Sequence, residues 1–283
     1  MSRVEAWSAA AVAIAGGLLP ALERRWPYNP EQRVLRTGFW IDLVLYGFVQ
    51  SYALGIVIGR LIGAIDHGTG LSRLHLVSAW PAGWQLVFFL VTHDLYIYLF
   101  HRLQHRCRLL WRIHEAHHSV PQVDWLSGVR SHALEILVNQ SVEFAPILLL
   151  GAAPDVAVLK GTISAVWGMF IHSNLDVRLG VLQYLINGPE MHRWHHADQP
   201  EAYGRNFSTK LAVWDWLFRT AYFPDPRLRK AQRFGLRYVR YPERFPVDYA
   251  IQQAYAFRRS GFGEPSETAP APSIRRDGVA AVS

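Results

Sequence analysis

Long apolar runs alternate with short polar segments along most of this chain. A helix needs about 20 apolar residues to cross a bilayer, and residues 7–22, 39–65 and 81–100 are candidates. Residues 133–171 are too many for one crossing, and Gly and Pro within 151–155 predict a hairpin of two helices. The pattern therefore predicts an all-α, integral-membrane helical bundle with five spans. We expect the first span to be retained, because no clean signal-peptide cleavage site precedes Glu23.

Composition supports a membrane protein and narrows its partners. Hydrophobic residues make up 51% of the chain and charged residues 18%, a balance that favours a membrane bundle. The net charge of +7 comes from basic residues interleaved with apolar segments, which favours a lipid surface over nucleic acid. The single cysteine, Cys107, excludes an intramolecular disulfide and a thiolate cluster. Any metal would therefore have nitrogen or oxygen ligands.

Lys and Arg are distributed unevenly among the predicted loops. All but Arg3, Arg60, Arg73 and Lys160 fall between the first two spans, between the third and fourth spans, or after the last span. Because cytoplasmic loops carry such an excess, these segments are predicted to be cytoplasmic. Residues 173–260 mix Trp, Tyr and Arg as helices at a membrane interface do, and the composition of 261–283 predicts a disordered tail.

Three short histidine clusters lie near the predicted helix ends. They are HRLQH, HEAHH and HRWHH, which contain His101, His105, His114, His117, His118, His192, His195 and His196. Histidines three or four residues apart share a helix face and can bind one ion, and eight imidazoles exceed what one ion uses. We therefore predict two metal ions. Imidazole binds Fe, Zn, Cu and Ni, so the ligand type does not identify the metal.

The predicted topology brings the clusters to one membrane face, where His132 and His172 join them. For the remaining histidines, His67, His75 and His93, we predict structural roles. Ligating histidines commonly donate their second nitrogen to a carboxylate or a carbonyl. The carboxylates expected in that outer position are Asp94, Glu115, Asp124, Glu135, Glu190 and Asp215.

The order of these motifs, followed by NFSTKLAVWDWLFRT, resembles the sterol desaturase and fatty acid hydroxylase superfamily over roughly residues 84–223. The resemblance implies a cytosolic di-metal site capping the bundle, with two iron ions (Fe2+), which the purified protein could carry as zinc. It also implies O2 as co-reactant and electrons from a separate donor protein. The implied ligands are His101, His105, His114, His117, His118, His172, His192, His195 and His196. A further membrane histidine of the fatty acid hydroxylases falls here on Gly168, and His132 is our candidate to replace it.

The resemblance predicts that residues 38–260 form a membrane catalytic domain, preceded by a membrane segment and basic loop at 1–37 and followed by the tail at 261–283. The predicted reaction is hydroxylation, or desaturation, of a lipid or sterol-like substrate. One alternative is a membrane metal-binding or transport protein, although ionisable residues are concentrated at one edge of the spans rather than through their depth. Another is a binuclear zinc lipid hydrolase. The chain has no HPGG haem motif and no GxGxxG motif, so electrons would come from another protein.

Overall fold

The computed structural model describes residues 2–224, 230–236 and 244–258. Within these ranges the chain is all-helical apart from an isolated bridge between Pro27 and Leu175, which confirms the predicted fold class. The helices are α1 (Arg3–Arg25), α2 (Ile41–Thr69), α3 (Ala82–Gln104), α4 (Arg108–His118), α5 (Ala133–Leu149), α6 (Pro154–His172), α7 (Pro189–His195), α8 (Val213–Leu217) and α9 (Tyr249–Tyr255). The predicted tail at 261–283 lies outside the described residues.

Three of these helices, α1, α2 and α3, are long and apolar enough to cross a membrane by length and composition, with 23, 29 and 23 residues. The described part of the chain thus offers three candidate spans by these criteria, where the sequence predicted five. The other two predicted spans do form the expected hairpin, α5 and α6, joined at Gly151, which has a positive φ of 72°. They are shorter, at 17 and 19 residues, and α6 carries Asp155 and Lys160.

Helix α6 is central to the bundle and packs against α1, α3, α5 and α7, while α2 packs against α5. At the end of the bundle where α5 turns into α6, Val77, Phe89, Ile147 and Val156 form an apolar core. The exposed faces of α1 and α2 are rich in large apolar side chains such as Trp7 and Tyr52, as expected where a helix faces lipid.

The opposite end of the bundle carries the chemistry. Helices α3 and α6 each carry a histidine in the last turn, His101 and His172, and α4 and α7 are short helices at this end. Helix α7 is buried along its whole length. Short helices with so little exposure depend on their packing rather than on intrinsic helix stability. The fold therefore brings four separate helices to one site.

Candidate metal centre

Nine histidines form two adjacent groups at this end of the bundle. The first contains His101, His105, His114, His118 and His195, and the second contains His117, His172, His192 and His196. Within each group the available ligand atoms lie within 4.8 Å of one another. The two sequence clusters that contain neighbouring histidines, HEAHH and HRWHH, are each split between the groups: in HEAHH, His114 and His118 belong to one group and His117 to the other. This follows from helical geometry, since adjacent residues point about 100° apart.

The histidine rings meet through their Nε2 atoms. In the first group, His114 Nε2 lies 3.1 Å from His101 Nε2 and 3.2 Å from His118 Nε2. In the second, His172 Nε2 lies 2.9 Å from His192 Nε2 and 3.3 Å from His117 Nε2. All the ligand atoms therefore converge on the centre of each group.

The outer nitrogens of several rings identify the tautomer. The Nδ1 atoms of His101, His117, His172 and His195 lie 2.8, 2.9, 2.7 and 2.9 Å from the backbone carbonyls of Phe207, Arg130, Gly168 and Arg205. A carbonyl can only accept, so Nδ1 carries the proton and the Nε2 lone pair points inward. The 3.3 Å contact between His117 and His172 then joins two lone pairs, which cannot hydrogen-bond. Such pairs suit a cation between them, and the residues present fit a metal ion in each group.

Burial keeps these imidazoles neutral, which is the form that binds metal. For the histidines of α4 and α7, burial is the largest influence on the pKa. Burial lowers the pKa of His114 to about 3. Burial, followed by the nearby His114, lowers the pKa of His117 to about 4. The pKa values of His118, His192, His195 and His196 are lowered well below the usual value for the same first reason.

A buried ion network positions the carbonyl that orients His117. The Arg130 guanidinium donates through Nε to Asp42 at 2.6 Å and through Nη1 to Ser119 Oγ at 3.0 Å. Arg36 Nη2 in turn donates to Asp42 at 2.6 Å and to Asp124 at 2.9 Å. Gly38, with a positive φ of 82°, passes so close to Arg130 that a side chain there would collide with the guanidinium. Asp124 thus contacts Arg36 rather than a histidine, and it is linked to His117 only through this network and the backbone carbonyl of Arg130.

The segment NFSTKLAVWDW and Arg205, the residue just before it, hold two more of these carbonyls. Asp215 accepts from the N–H groups of Phe207 and Ser208, both at 2.9 Å, and from Thr220 Oγ1 at 2.6 Å. Asn206 donates to the carbonyl of Met191 in α7 at 2.9 Å. These contacts hold the loop in place, and the backbone carbonyls of Phe207 and Arg205 in this loop accept hydrogen bonds from His101 and His195.

Most of the carboxylates that we predicted as outer hydrogen-bond partners of the histidines contact other groups in the structure. Glu135 accepts directly from a clustered histidine, with Oε1 2.8 Å from His114 Nδ1. Asp94 instead accepts from the backbone of Lys210 and Leu211, and Glu115 pairs with Arg258 at 2.7 Å. Glu190 is buried at the start of α7. Backbone carbonyls therefore take most of the outer positions that we had predicted for acids.

His132 belongs to neither group, contrary to its predicted place in the ligand set. Its Nδ1 accepts from the N–H of Leu134 at 3.1 Å, which caps the start of α5. Its Nε2 lies 2.9 Å from the carbonyl of Gln253 and must donate there. Both nitrogens are therefore used. A Cβ atom at Gly168 would meet no atom within 4 Å, and the backbone carbonyl of Gly168 accepts a hydrogen bond from His172 Nδ1.

A cavity of about 210 Å³ borders both histidine groups. Its walls include Ile97, Phe100, Trp167 and Ile171, and His101, His114, His117, His172 and His192 line it as well. The wall also includes polar side chains that the sequence patterns did not identify as functional, among them Lys210 and Ser164. Their spacing forms no motif, so only the tertiary packing around the cavity reveals them.

Comparison with known proteins agrees with this geometry. The fatty acid hydroxylase family model matches residues 86–220. The chain is 34% identical over 145 residues to ornithine lipid hydroxylase OlsE of Rhizobium tropici, covering 51% of this chain and 44% of that protein. It is 27% identical over 208 residues to alkylglycerol monooxygenase of Homo sapiens, covering 65% and 46%. It is also 27% identical over 132 residues to methylsterol monooxygenase 1 of Rattus norvegicus, covering 46% and 44%.

The fold and site define a helical protein with apolar, membrane-length helices and two histidine groups able to hold metal. The match of residues 86–220 to the fatty acid hydroxylase family model confirms the resemblance noted from the sequence. The chain spans less than half the length of each of these three relatives. No solved structure matches this chain.

Proposed function

We propose that this protein is a membrane-bound, non-haem di-iron oxygenase that hydroxylates a C–H bond of a lipid substrate. The observation that carries the proposal is one cavity bordered by both histidine groups and by apolar side chains. Relatives named as a lipid hydroxylase and as monooxygenases support the reaction class. In the balanced reaction one oxygen atom of O2 enters the C–H bond and the other leaves as water, with two electrons and two protons consumed.

The proposed ligands are the nine histidines of the two groups, with His101, His105, His114, His118 and His195 for one ion and His117, His172, His192 and His196 for the other. Two ferrous ions there would supply the site at which O2 is reduced. Imidazole ligands suit iron but also zinc, so the proposal of iron rests on the family. Eight of these nine histidines are buried and His105 is partly buried, which limits the access of water to the site.

The protein's own task is to hold the ligands and to present one carbon. Outward hydrogen bonds from Nδ1 to backbone carbonyls hold the rings of His101, His117, His172 and His195 in one tautomer and one orientation. The apolar wall formed by Ile97, Phe100 and Ile171 would hold a hydrocarbon chain beside them. Holding the reacting carbon in place contributes to rate by orientation.

We further propose that the chain crosses the membrane more than once, that the histidine centre lies on the cytoplasmic side, and that a separate protein donates the electrons. The distribution of Lys and Arg supports the orientation. The sequence contains neither an HPGG nor a GxGxxG motif, which supports the proposal of a separate electron donor.

The test combines metal analysis, Mössbauer spectroscopy of anaerobically prepared protein, and lipid mass spectrometry of cells with and without the protein. We expect two irons per chain and lipids that gain one oxygen, both lost in His117→Ala and His195→Ala, one for each group. His67→Ala, at an exposed position near the end of α2, is the matched control. A stoichiometric zinc protein that cleaves lipid without O2 would contradict the proposal and favour the hydrolase, and metal flux without lipid oxidation would favour transport.

A further inference from the structure

The cavity beside the histidine centre continues away from it along α3. His93 and His101 both line it. They are eight residues apart on the same helix, which corresponds to about 12 Å along its axis. The cavity therefore has one end at the metal centre and a second end near His93.

The second end contains a buried polar cluster formed by α3, α5 and α6. Lys160 is completely buried and donates to Glu143 Oε1 at 2.5 Å. Ser164 Oγ donates to the same oxygen at 2.9 Å. Lys160 Nζ also lies 3.1 Å from His93 Nδ1. We call His93, Glu143, Lys160 and Ser164 the distal polar cluster.

The contact with Lys160 fixes the tautomer of His93. An ammonium group has donors and no acceptor, so His93 Nδ1 must accept from Lys160 Nζ. The ring proton is therefore on Nε2. Within the described part of the chain, His93 Nε2 is buried and has no hydrogen-bond partner, and the residue is only 8% exposed. A buried donor without an acceptor is costly, and this one belongs to a side chain that lines the cavity.

The charges around this donor are balanced. Lys160 pairs with Glu143, and Lys210, which also lines the cavity, lies 3.9 Å from Asp94. A carboxylate or phosphate brought into this buried place would add an uncompensated negative charge, which is expensive in a low dielectric. An uncharged oxygen with a free lone pair meets the need of His93 without that cost.

We propose that the distal polar cluster binds an uncharged acceptor oxygen of the lipid substrate, namely a hydroxyl or ether oxygen, through His93 Nε2–H. The hydrocarbon then extends along the cavity to the histidine centre, so the distance between the two ends selects the carbon that reacts. The inference rests on the proposed function in taking this cavity as the lipid site. Binding itself needs no turnover and can be measured separately.

The experiment is photolabelling of the full-length, metal-loaded protein in lipid nanodiscs. Three probes carry a diazirine at the same carbon of the same chain: hexadecan-1-ol, its methyl ether and hexadecane. Labelled peptides of α3, α5 and α6 are quantified by mass spectrometry. We expect the alcohol and the ether to label the cavity about tenfold more than the alkane, the ratio that corresponds to one buried hydrogen bond of about 1.4 kcal/mol.

The variants identify the donor. His93→Phe removes Nε2–H and is expected to abolish the preference, whereas His93→Gln retains a donor and is expected to keep most of it. His67→Phe is the control, because His67 is exposed near the end of α2. Metal content, measured for every variant, reports whether the centre has assembled.

Equal labelling of the wild-type protein by all three probes would overturn the proposal, and this comparison needs no variant. So would labelling by the alcohol alone, which would indicate a group that accepts rather than donates, or a preference that persists in His93→Phe or disappears in His93→Gln. If the preference is found but no lipid is oxidised in the presence of O2 and reductant, the proposed function fails while the binding site stands.

Discussion

Glu135 offers the sharpest test of how the site is held together, because it is the carboxylate seen to accept directly from a clustered histidine. Its Oε1 accepts from His114 Nδ1 at 2.8 Å and from Gln104 Nε2 at 2.9 Å, and the side chain is buried. Glu135→Gln keeps an acceptor oxygen but removes the charge. Glu135→Leu removes both. The pair of variants therefore separates orientation of His114 from charge.

The expected loss can be worked out from this geometry. Removing an outer hydrogen-bond partner of a metal-bound histidine typically lowers metal affinity 10- to 100-fold, which corresponds to about 1.4–2.7 kcal/mol. A hydrogen bond to a charged group is worth about 1.5–3 kcal/mol, which is the same range. We expect Glu135→Leu to approach a loss of about 100-fold and Glu135→Gln about 10-fold, confined to the metal in the group that contains His114.

The assay is competition for the metal with a chelator, followed by elemental analysis of the protein. Glu115→Gln is the matched control, since Glu115 is also buried but pairs with Arg258 at 2.7 Å. It should release metal at the same chelator concentration as the wild type. Unchanged metal retention in Glu135→Leu, or equal loss of both metals in it, would refute the reasoning that this carboxylate supports His114.

Three further predictions concern acid, the cavity and the helix cap. In metal-free protein, burial lowers the pKa of His114 to about 3 and that of His117 to about 4, whereas both histidines take up a proton near pH 6.5 in the unfolded chain. The free energy of unfolding should therefore be highest above pH 6.5 and fall towards pH 4, by on the order of 3 kcal/mol for His117 alone. A melting temperature that stays constant from pH 7 to 5 would contradict this. Gly168→Leu adds a side chain where the structure has open space beside the cavity, so lipid oxidation should drop at least about tenfold with metal content unchanged; a proportional loss of metal would show that the glycine supports the ligands instead. His132→Ala should cost about 1 kcal/mol of stability as a lost helix cap and keep both metals, measured by unfolding and elemental analysis, whereas loss of one metal would restore it as a ligand.

The sequence by itself determined the helical class, the apolar segments and nearly all of the candidate site. Within each of the clusters around His101, His114 and His192 the histidines lie within a few residues of one another, so helical spacing alone predicts them as ligands, and their number predicts more than one ion. Local spacing also predicted the hairpin around Gly151. These features depend on neighbours in the chain, which is why a pattern can report them.

Tertiary structure decided which histidines come together in each group, and it places His132 outside both groups. Helical geometry already turns the adjacent histidines of HEAHH apart, but which other histidines each of them meets depends on how α3, α4, α6 and α7 cross. Tertiary structure also decided which groups accept hydrogen bonds from the outer nitrogens of the histidines. Backbone carbonyls such as those of Phe207 and Arg130 have no sequence signature, because every residue carries one. Their role, like the contact between His93 and Lys160, exists only because distant parts of the chain pack together and must satisfy one another's buried polar groups.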